Sequence, residues 1–194
     1  MQKNKAVFLD RDGVINYPVL NPSTRNYEAP FKIEDLKLFP LVIESIKELQ
    51  NLGYKLFIIT NQPDCAKGKT TLEDLKAVQE KMLSIFKENN IFISEYYACF
   101  HHPQGIVPEY TVKCECRKPG TLFLKEAQEK YNLDLKISWM MGDRDTDIQC
   151  GQSAGTKTIL IYSAHSINEK NAGRSNPDFK ANDLNEAVRI IKNN

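Results

Sequence analysis

Four aspartates and a threonine stand where apolar, strand-like runs give way to polar residues. Val7-Phe8-Leu9 leads into Asp10-Arg11-Asp12-Gly13, Phe57-Ile58-Ile59 into Thr60-Asn61-Gln62, and Trp139-Met140-Met141-Gly142 into Asp143-Arg144-Asp145-Thr146-Asp147. Open parallel sheets bind ligands beyond the carboxyl ends of their strands. If the three strands are neighbours, Asp10, Asp12 and Asp143 converge with Thr60, and Asp147 stands close by. Carboxylates crowded into one cleft repel each other unless a cation shares them. An all-oxygen donor set favours a hard ion, Mg²⁺ above all, which readily takes phosphate as a further ligand. Any one of these aspartates has an ordinary alternative role as a helix cap. Three strand ends with the same pattern point instead to a site for phosphoryl chemistry.

A second constellation follows the middle strand. Cys99-Phe100-His101 and Cys114-Glu115-Cys116 supply three thiols and an imidazole. That set suits tetrahedral Zn²⁺ in a closed, structural site. The residues between, with Pro103, Gly105 and Pro108, have no helix or strand period, so a metal would supply order that burial does not. The plainer alternative is a core cysteine at 99 with the others incidental. His102 is expected to stand outside the set, because a ligand there would need the chain to reverse. The cysteines number five, an odd count that argues against a disulfide framework. Cys65 and Cys150 read as packing residues.

The elements that must position these groups alternate between two periods. Residues 6–9, 56–59, 96–100, 137–141 and 158–161 are nearly continuous apolar runs, as in strands covered on both faces. Helical patterns lie between them. Val42, Ile46 and Leu49 mark one helix that Gly53 closes. Thr70 with Glu73 reads as a capping box ahead of Leu72, Leu75, Val78, Met82 and Phe86. Leu122, Phe123 and Ala127 mark a third helix, and Asp145 caps a fourth through Ile148. Asp183 with Glu186 opens a last one through Leu184, Val188 and Ile191. Alternating βα units predict an α/β fold, a doubly wound parallel sheet with helices on both faces. Residues 1–194 fit a single domain, with an inserted loop at 17–31 and the zinc loop at 99–116. Residues 163–182 are irregular.

Composition excludes several classes. The charge is balanced, 26 basic against 25 acidic residues for a net +1, so nothing marks a nucleic-acid or anionic-membrane partner. The apolar runs are strand-sized and none is long enough to span a bilayer. The N-terminal apolar stretch is too short for a signal peptide, and a cytoplasmic location is expected. No internal repeat is present.

In order, the segments resemble the motifs of the haloacid dehalogenase (HAD) phosphatase superfamily. Asp10-Arg11-Asp12-Gly13-Val14 matches the first motif and Thr60 the second. Lys118, within Arg117-Lys118-Pro119, matches the third, and Gly142-Asp143-Arg144 with Asp147 the fourth. The resemblance implies a Rossmann-like sheet without a large cap domain. It implies Asp10 as nucleophile through an aspartyl-phosphate and Asp12 as acid and base. Thr60 and Lys118 would hold phosphate oxygens. Mg²⁺ would lie on Asp10, the Asp12 carbonyl and Asp143, with Asp147 orienting Lys118 or the ion's water shell.

The cysteine segment leads directly into Cys116-Arg117-Lys118-Pro119. In this it is similar to the HAD subgroup that holds the heptose bisphosphate and histidinol-phosphate phosphatases. The length of the loop before Cys114 is closer to the heptose enzymes. That resemblance implies a small phosphorylated sugar as substrate. D-glycero-D-manno-heptose 1,7-bisphosphate comes first, losing its 7-phosphate on the way to lipopolysaccharide. Asn61, Arg117 and Arg144 would be substrate contacts, and the enzyme a monomer. Histidinol phosphate or another small phosphomonoester is the alternative within the class. A non-catalytic zinc-bearing binding module on the same scaffold is the alternative outside it. The chain departs from the subgroup at Pro63-Asp64 and Lys67, in the shortened Lys118-Pro119-Gly120, in the longer loop 17–31, and at Arg144. Arg25 and Lys67 could meet a second phosphate, or be solvated surface charge.

Overall fold

β1, Ala6–Leu9, is buried along its whole length, and its four apolar side chains point alternately to two faces. Val7 and Leu9 enter one core and Ala6 and Phe8 the other. A strand of this kind has no solvent face and belongs in the middle of a covered sheet. The computed structural model describes residues 3–22, 25–162 and 175–194. Among them β1 lies between β4, Lys55–Asn61, and β6, Trp139–Gly142, both parallel to it. β5, Ile93–Cys99, flanks β4; β7, Lys157–Ile161, and β8, Phe179–Ala181, continue past β6. The sheet order is β5-β4-β1-β6-β7-β8, every pairing parallel.

Register sets where the strand ends fall. Phe8 stands opposite Phe57 and Met140, and Leu9 opposite Ile58 and Met141. Each strand then needs one or two further residues to reach its carboxyl end. That brings Asp10, Thr60 and Asp143 to the same edge of the sheet.

Two helical layers cover the faces. On one side α1, Val42–Asn51, and α5, Leu184–Lys192, pack Ile46, Leu49, Val188 and Ile191 beneath Val7, Leu9 and Trp139. α2, Leu72–Glu88, adds Met82 and Phe86 to this core. On the other side lie α3, Leu122–Tyr131, and α4, Asp145–Ala154, which contribute Leu124, Ala127 and Cys150 beneath Phe8, Phe57 and Met140. Gly53, at φ 83°, closes α1 as expected. No large cap is present among the described residues, and none of their helices is long and apolar enough to cross a membrane.

Several boundaries differ from the sequence reading. β5 starts earlier than residue 96 and stops at Cys99, and Ile137 sits in a half-exposed 3₁₀ turn before β6. The capping box of α2 is Thr71 with Asp74, one residue beyond the expected pair; Thr71 Oγ1 accepts from the Asp74 N–H at 3.1 Å. At α4 the N-cap is Arg144, and Asp147 supplies the capping carboxylate by accepting from the Arg144 N–H at 3.0 Å. Asp145, expected as the cap, instead accepts from Ser175. Within loop 17–31 the chain forms a short antiparallel hairpin, β2, Val19–Leu20, with β3, Tyr27–Glu28. Residues 23–24 of that loop, and 163–174 of the irregular segment at 163–182, lie outside the described residues. The rest of that segment includes β8, a three-residue strand carrying a lysine and so lacking an apolar run.

Candidate active site

At the carboxyl edge of the sheet Asp10 leaves β1 with its N–H donated to the Met141 carbonyl at 2.9 Å. Its carboxylate lies with those of Asp143 and Asp147, one oxygen of each within 4.8 Å of the others. All three side chains are buried. One cation of the protein enters the group. Lys118 Nζ stands 2.8 Å from Asp10 Oδ1 and 2.6 Å from Asp147 Oδ1, and donates to the Ile59 carbonyl at 2.7 Å. Burial pushes the Asp10 carboxyl up to about 6; Lys118 pulls it down and Asp147 pushes it up again. Three buried carboxylates against one ammonium leave a surplus of negative charge. Arg144 at the edge, 3.8 Å from Asp143, offsets part of that charge, and the hard oxygen donors that remain fit a divalent cation such as Mg²⁺.

The backbone is shaped around these carboxylates. Gly13 has φ 91°, and a Cβ there would run into the Asp143 carboxylate. A Cβ at Gly142 would run into Asp147. Both glycines are thus required by close approach rather than by loop flexibility.

Lys118 is fixed from its own backbone as well. Its N–H donates to Asn61 Oδ1 at 3.0 Å, and Asn61 Nδ2 donates to its carbonyl at 3.1 Å. Asn61, expected among the substrate contacts, therefore uses both ends of its amide on the Lys118 peptide. The Lys118-Pro119 bond is cis.

Asp12 has different neighbours. Arg11 Nη2 lies 3.0 and 2.9 Å from its two carboxylate oxygens, Arg11 Nε 3.1 Å from Oδ1, Asn16 Nδ2 3.0 Å from Oδ1 and Gln62 Nε2 2.6 Å from Oδ2. Burial alone would raise this carboxyl, but the guanidinium and the amide donors outweigh it and hold it below the usual range. Gln62 Nε2 also reaches Thr60 Oγ1 at 2.9 Å. The side chain of Asp12 lies outside the three-carboxylate group; its expected metal contact is through the backbone carbonyl.

Beside this centre opens a cleft of about 150 Å³ whose wall includes Asn61, Lys67, Lys69, Arg117 and Arg144. Tyr27 and Glu28 of β3 line it too, and Lys69 pairs with Glu28 at 2.7 Å and with Asp64 at 3.3 Å. Arg144, partly exposed, stands 3.8 Å from Asp143 through Nε. Arg117 donates to the His101 carbonyl at 3.4 Å. Arg25 is exposed on the hairpin loop.

The cysteine cluster lies next to the cleft. Cys116 Sγ is 3.3 Å from Cys99 Sγ, 3.2 Å from Cys114 Sγ and 3.4 Å from His101 Nδ1. Cys99 and Cys114 are 3.6 Å apart, and all four donor atoms lie within 4.8 Å of one another. Burial, and then the neighbouring sulfurs, push the Cys116 thiol far up. Three thiols facing one imidazole nitrogen is a donor chemistry that fits Zn²⁺. His102 Nδ1 instead accepts from the Gln104 N–H at 3.1 Å, turned to its own loop. Cys65 and Cys150 are buried in packing contacts.

Sequence reasoning missed Arg11, Gln62 and Tyr96, whose hydroxyl accepts from Arg11 Nη1 at 3.3 Å, as parts of this centre. An arginine between two aspartates carries no signal of its own, and only the fold shows that its side chain is fully buried.

Comparison with known proteins agrees with this geometry. The sequence profile of the HAD-hydrolase-like family matches residues 115–187. A D-glycero-alpha-D-manno-heptose-1,7-bisphosphate 7-phosphatase of Photorhabdus laumondii is 37% identical over 191 residues, covering 96% of this chain and 100% of the relative. A D-glycero-beta-D-manno-heptose-1,7-bisphosphate 7-phosphatase of Yersinia pestis is 32% identical, covering 98% of this chain and 97% of the relative. Among solved structures, the D,D-heptose 1,7-bisphosphate phosphatase of B. bronchiseptica, complexed with magnesium and phosphate, superposes with a TM-score of 0.78. It is 22% identical and covers 97% of this chain and 98% of that one, a likeness that speaks for the fold. With identity sustained over nearly the whole of both chains, the protein belongs to the heptose-1,7-bisphosphate 7-phosphatase family of HAD-type phosphoric monoester hydrolases.

Proposed function

We propose that this phosphatase removes the 7-phosphate of D-glycero-D-manno-heptose 1,7-bisphosphate through an aspartyl-phosphate on Asp10. The observation that carries the reading is the buried Lys118 ammonium set between Asp10 and Asp147, beside Asp143, with a cleft that includes Lys67, Arg117 and Arg144 next to it. A phosphoryl group entering there meets a nucleophile and a counter-charge together.

Asp10, the Asp12 carbonyl and Asp143 would hold Mg²⁺, which when bound neutralises charge on the phosphoryl oxygens and among the carboxylates. The protein's own groups do the rest. An Asp10 oxygen forms a bond to phosphorus as the ester P–O bond breaks, and Asp12, ionised at rest, passes a proton taken up from the monoanionic phosphoester to the leaving alkoxide. Asp12 then takes a proton from water, whose oxygen attacks phosphorus and frees Asp10. Thr60 and Lys118 hold phosphoryl oxygens and stabilise charge as it develops. Arg117 and Arg144 face the distal part of the substrate, where a second phosphate suits their charge, while Asn61 holds the Lys118 backbone. Cys99, His101, Cys114 and Cys116 would hold a structural Zn²⁺ that orders the loop carrying Arg117 and Lys118. The whole chain acts as one domain, as a monomer, on a small phosphorylated sugar.

The test is phosphate release from a panel containing both heptose bisphosphate anomers, other sugar phosphates and histidinol phosphate. Asp10→Asn should abolish release from every member. A higher kcat/KM for histidinol phosphate than for either heptose would overturn the substrate assignment.

A further inference from the structure

Arg11 is an unusual residue to find without solvent. Its side chain is fully buried, directly after Asp10 in the chain, and it spends Nε and Nη2 on both oxygens of Asp12. Its remaining nitrogen, Nη1, donates to the Tyr96 hydroxyl at 3.3 Å. Tyr96 belongs to β5, on the outer edge of the sheet, two strands away from β1. A hydrogen-bonded line thus runs from the sheet edge to the acid–base carboxylate. On its other side Asp12 meets Asn16 and Gln62.

Burying a guanidinium is costly, and a planar fork fixes direction where a lysine would only supply charge. A surface arginine next to the nucleophile would not need Tyr96. We infer that Arg11, seated by Tyr96, is a positioning residue for proton transfer. It holds Asp12 as the anion at rest and fixes its carboxyl group at two points, so that a proton brought in by a monoanionic phosphoester and taken up by Asp12 reaches the leaving oxygen without a search through rotamers. The inference rests on the reading of Asp12 as acid and base. It adds two residues whose side chains lie behind the Asp12 carboxylate rather than among the three-carboxylate group.

The step concerned is identifiable by its leaving group. When an alkoxide departs, the P–O bond breaks as Asp12 delivers a proton to that oxygen. When p-nitrophenolate departs, it leaves as a stable anion and needs no proton. Misplacing Asp12 therefore slows phosphoryl transfer from sugar phosphates and spares transfer from p-nitrophenyl phosphate.

The experiment measures first-turnover transfer for Tyr96→Phe, Arg11→Lys, Arg11→Met and Asp12→Asn, using p-nitrophenyl phosphate and the best sugar phosphate of the panel. For the sugar phosphate, Tyr96→Phe should lose about three- to tenfold in rate, and Arg11→Met about a hundredfold or more, with KM nearly unchanged. Arg11→Lys should fail to rescue, since it lacks the fork. The nitrophenolate burst should fall by no more than a fewfold. Equal losses on both substrates, or a change in KM alone, would overturn the inference. If Arg11→Met does not fold, Tyr96→Phe decides, because it removes one hydroxyl and leaves the ring. Asp12→Asn separates the two levels: if it shows no leaving-group selectivity, the assignment of Asp12 itself fails. If it is selective and the Tyr96 and Arg11 variants are not, only the positioning role fails.

Discussion

Asp147 and Lys118 meet at 2.6 Å in the buried floor of the site, although neither lies on a strand. The other Asp147 oxygen accepts the Arg144 N–H and so opens α4. One carboxylate thus ties Lys118 to the start of a helix. Asp147→Asn can serve only one of these duties with its single carbonyl oxygen. Stability should fall by about 1–3 kcal/mol, read as a lower urea midpoint at unchanged m. Phosphatase kcat should fall at least tenfold as Lys118 is drawn toward Asp10. A variant with wild-type midpoint and rate would show that the pair is incidental.

Asn61 offers a cleaner division between holding substrate and holding protein. Its amide pairs in both directions with the Lys118 peptide. Asn61→Ala should therefore lower kcat more than it raises KM, with a stability loss of about 1–2 kcal/mol for two lost hydrogen bonds. A rise in KM with kcat intact would mean that its main work is to bind the sugar.

Gly13 is bound by geometry on two counts, a positive φ and the Asp143 carboxylate where a Cβ would stand. Gly13→Ala should cost about 1–3 kcal/mol and displace Asp143. Measured magnesium activation should weaken, appearing as a higher half-saturating concentration. An alanine variant with wild-type magnesium response would show that the loop accommodates the methyl group freely.

Metal analysis of the purified chain should find one zinc per molecule, and Cys114→Ser should lower that content. Because these donors gather a loop otherwise short of secondary structure, a strong chelator should lower Tm and expose residues 101–113 to protease. Activity should fall in parallel. A zinc-free protein with an unchanged Tm would make the cluster merely a group of thiols.

Much of this architecture can be read from residue order, for a physical reason. Fully covered parallel strands must be apolar throughout, so Val7-Phe8-Leu9 and Phe57-Ile58-Ile59 announce both themselves and the polar residue that ends them. The thiols and imidazole at 99, 101, 114 and 116 are legible because soft-metal donors are rare and closely spaced. What stayed hidden depends on cross-chain partners. β8 is three residues long with Lys180 at its centre, and it exists because β7 offers it an edge. The capping box of α2 shifted because Thr70-Thr71 presents two candidate hydroxyls and only the backbone chooses between them, whereas Asp183 caps α5 as expected. The pairing of Arg11 with Tyr96 joins residues 85 positions apart, and no local spacing encodes it.

Only Arg117 separates Cys116 from Lys118. Two residues span at most about 7 Å of extended chain, a leash with no slack. A movement of the Cys116 sulfur, from a bulkier soft ion or from oxidation, must pass almost undiminished to the lysine. With zinc held there and Lys118 at work as proposed, turnover would depend on which soft ion fills the four donors.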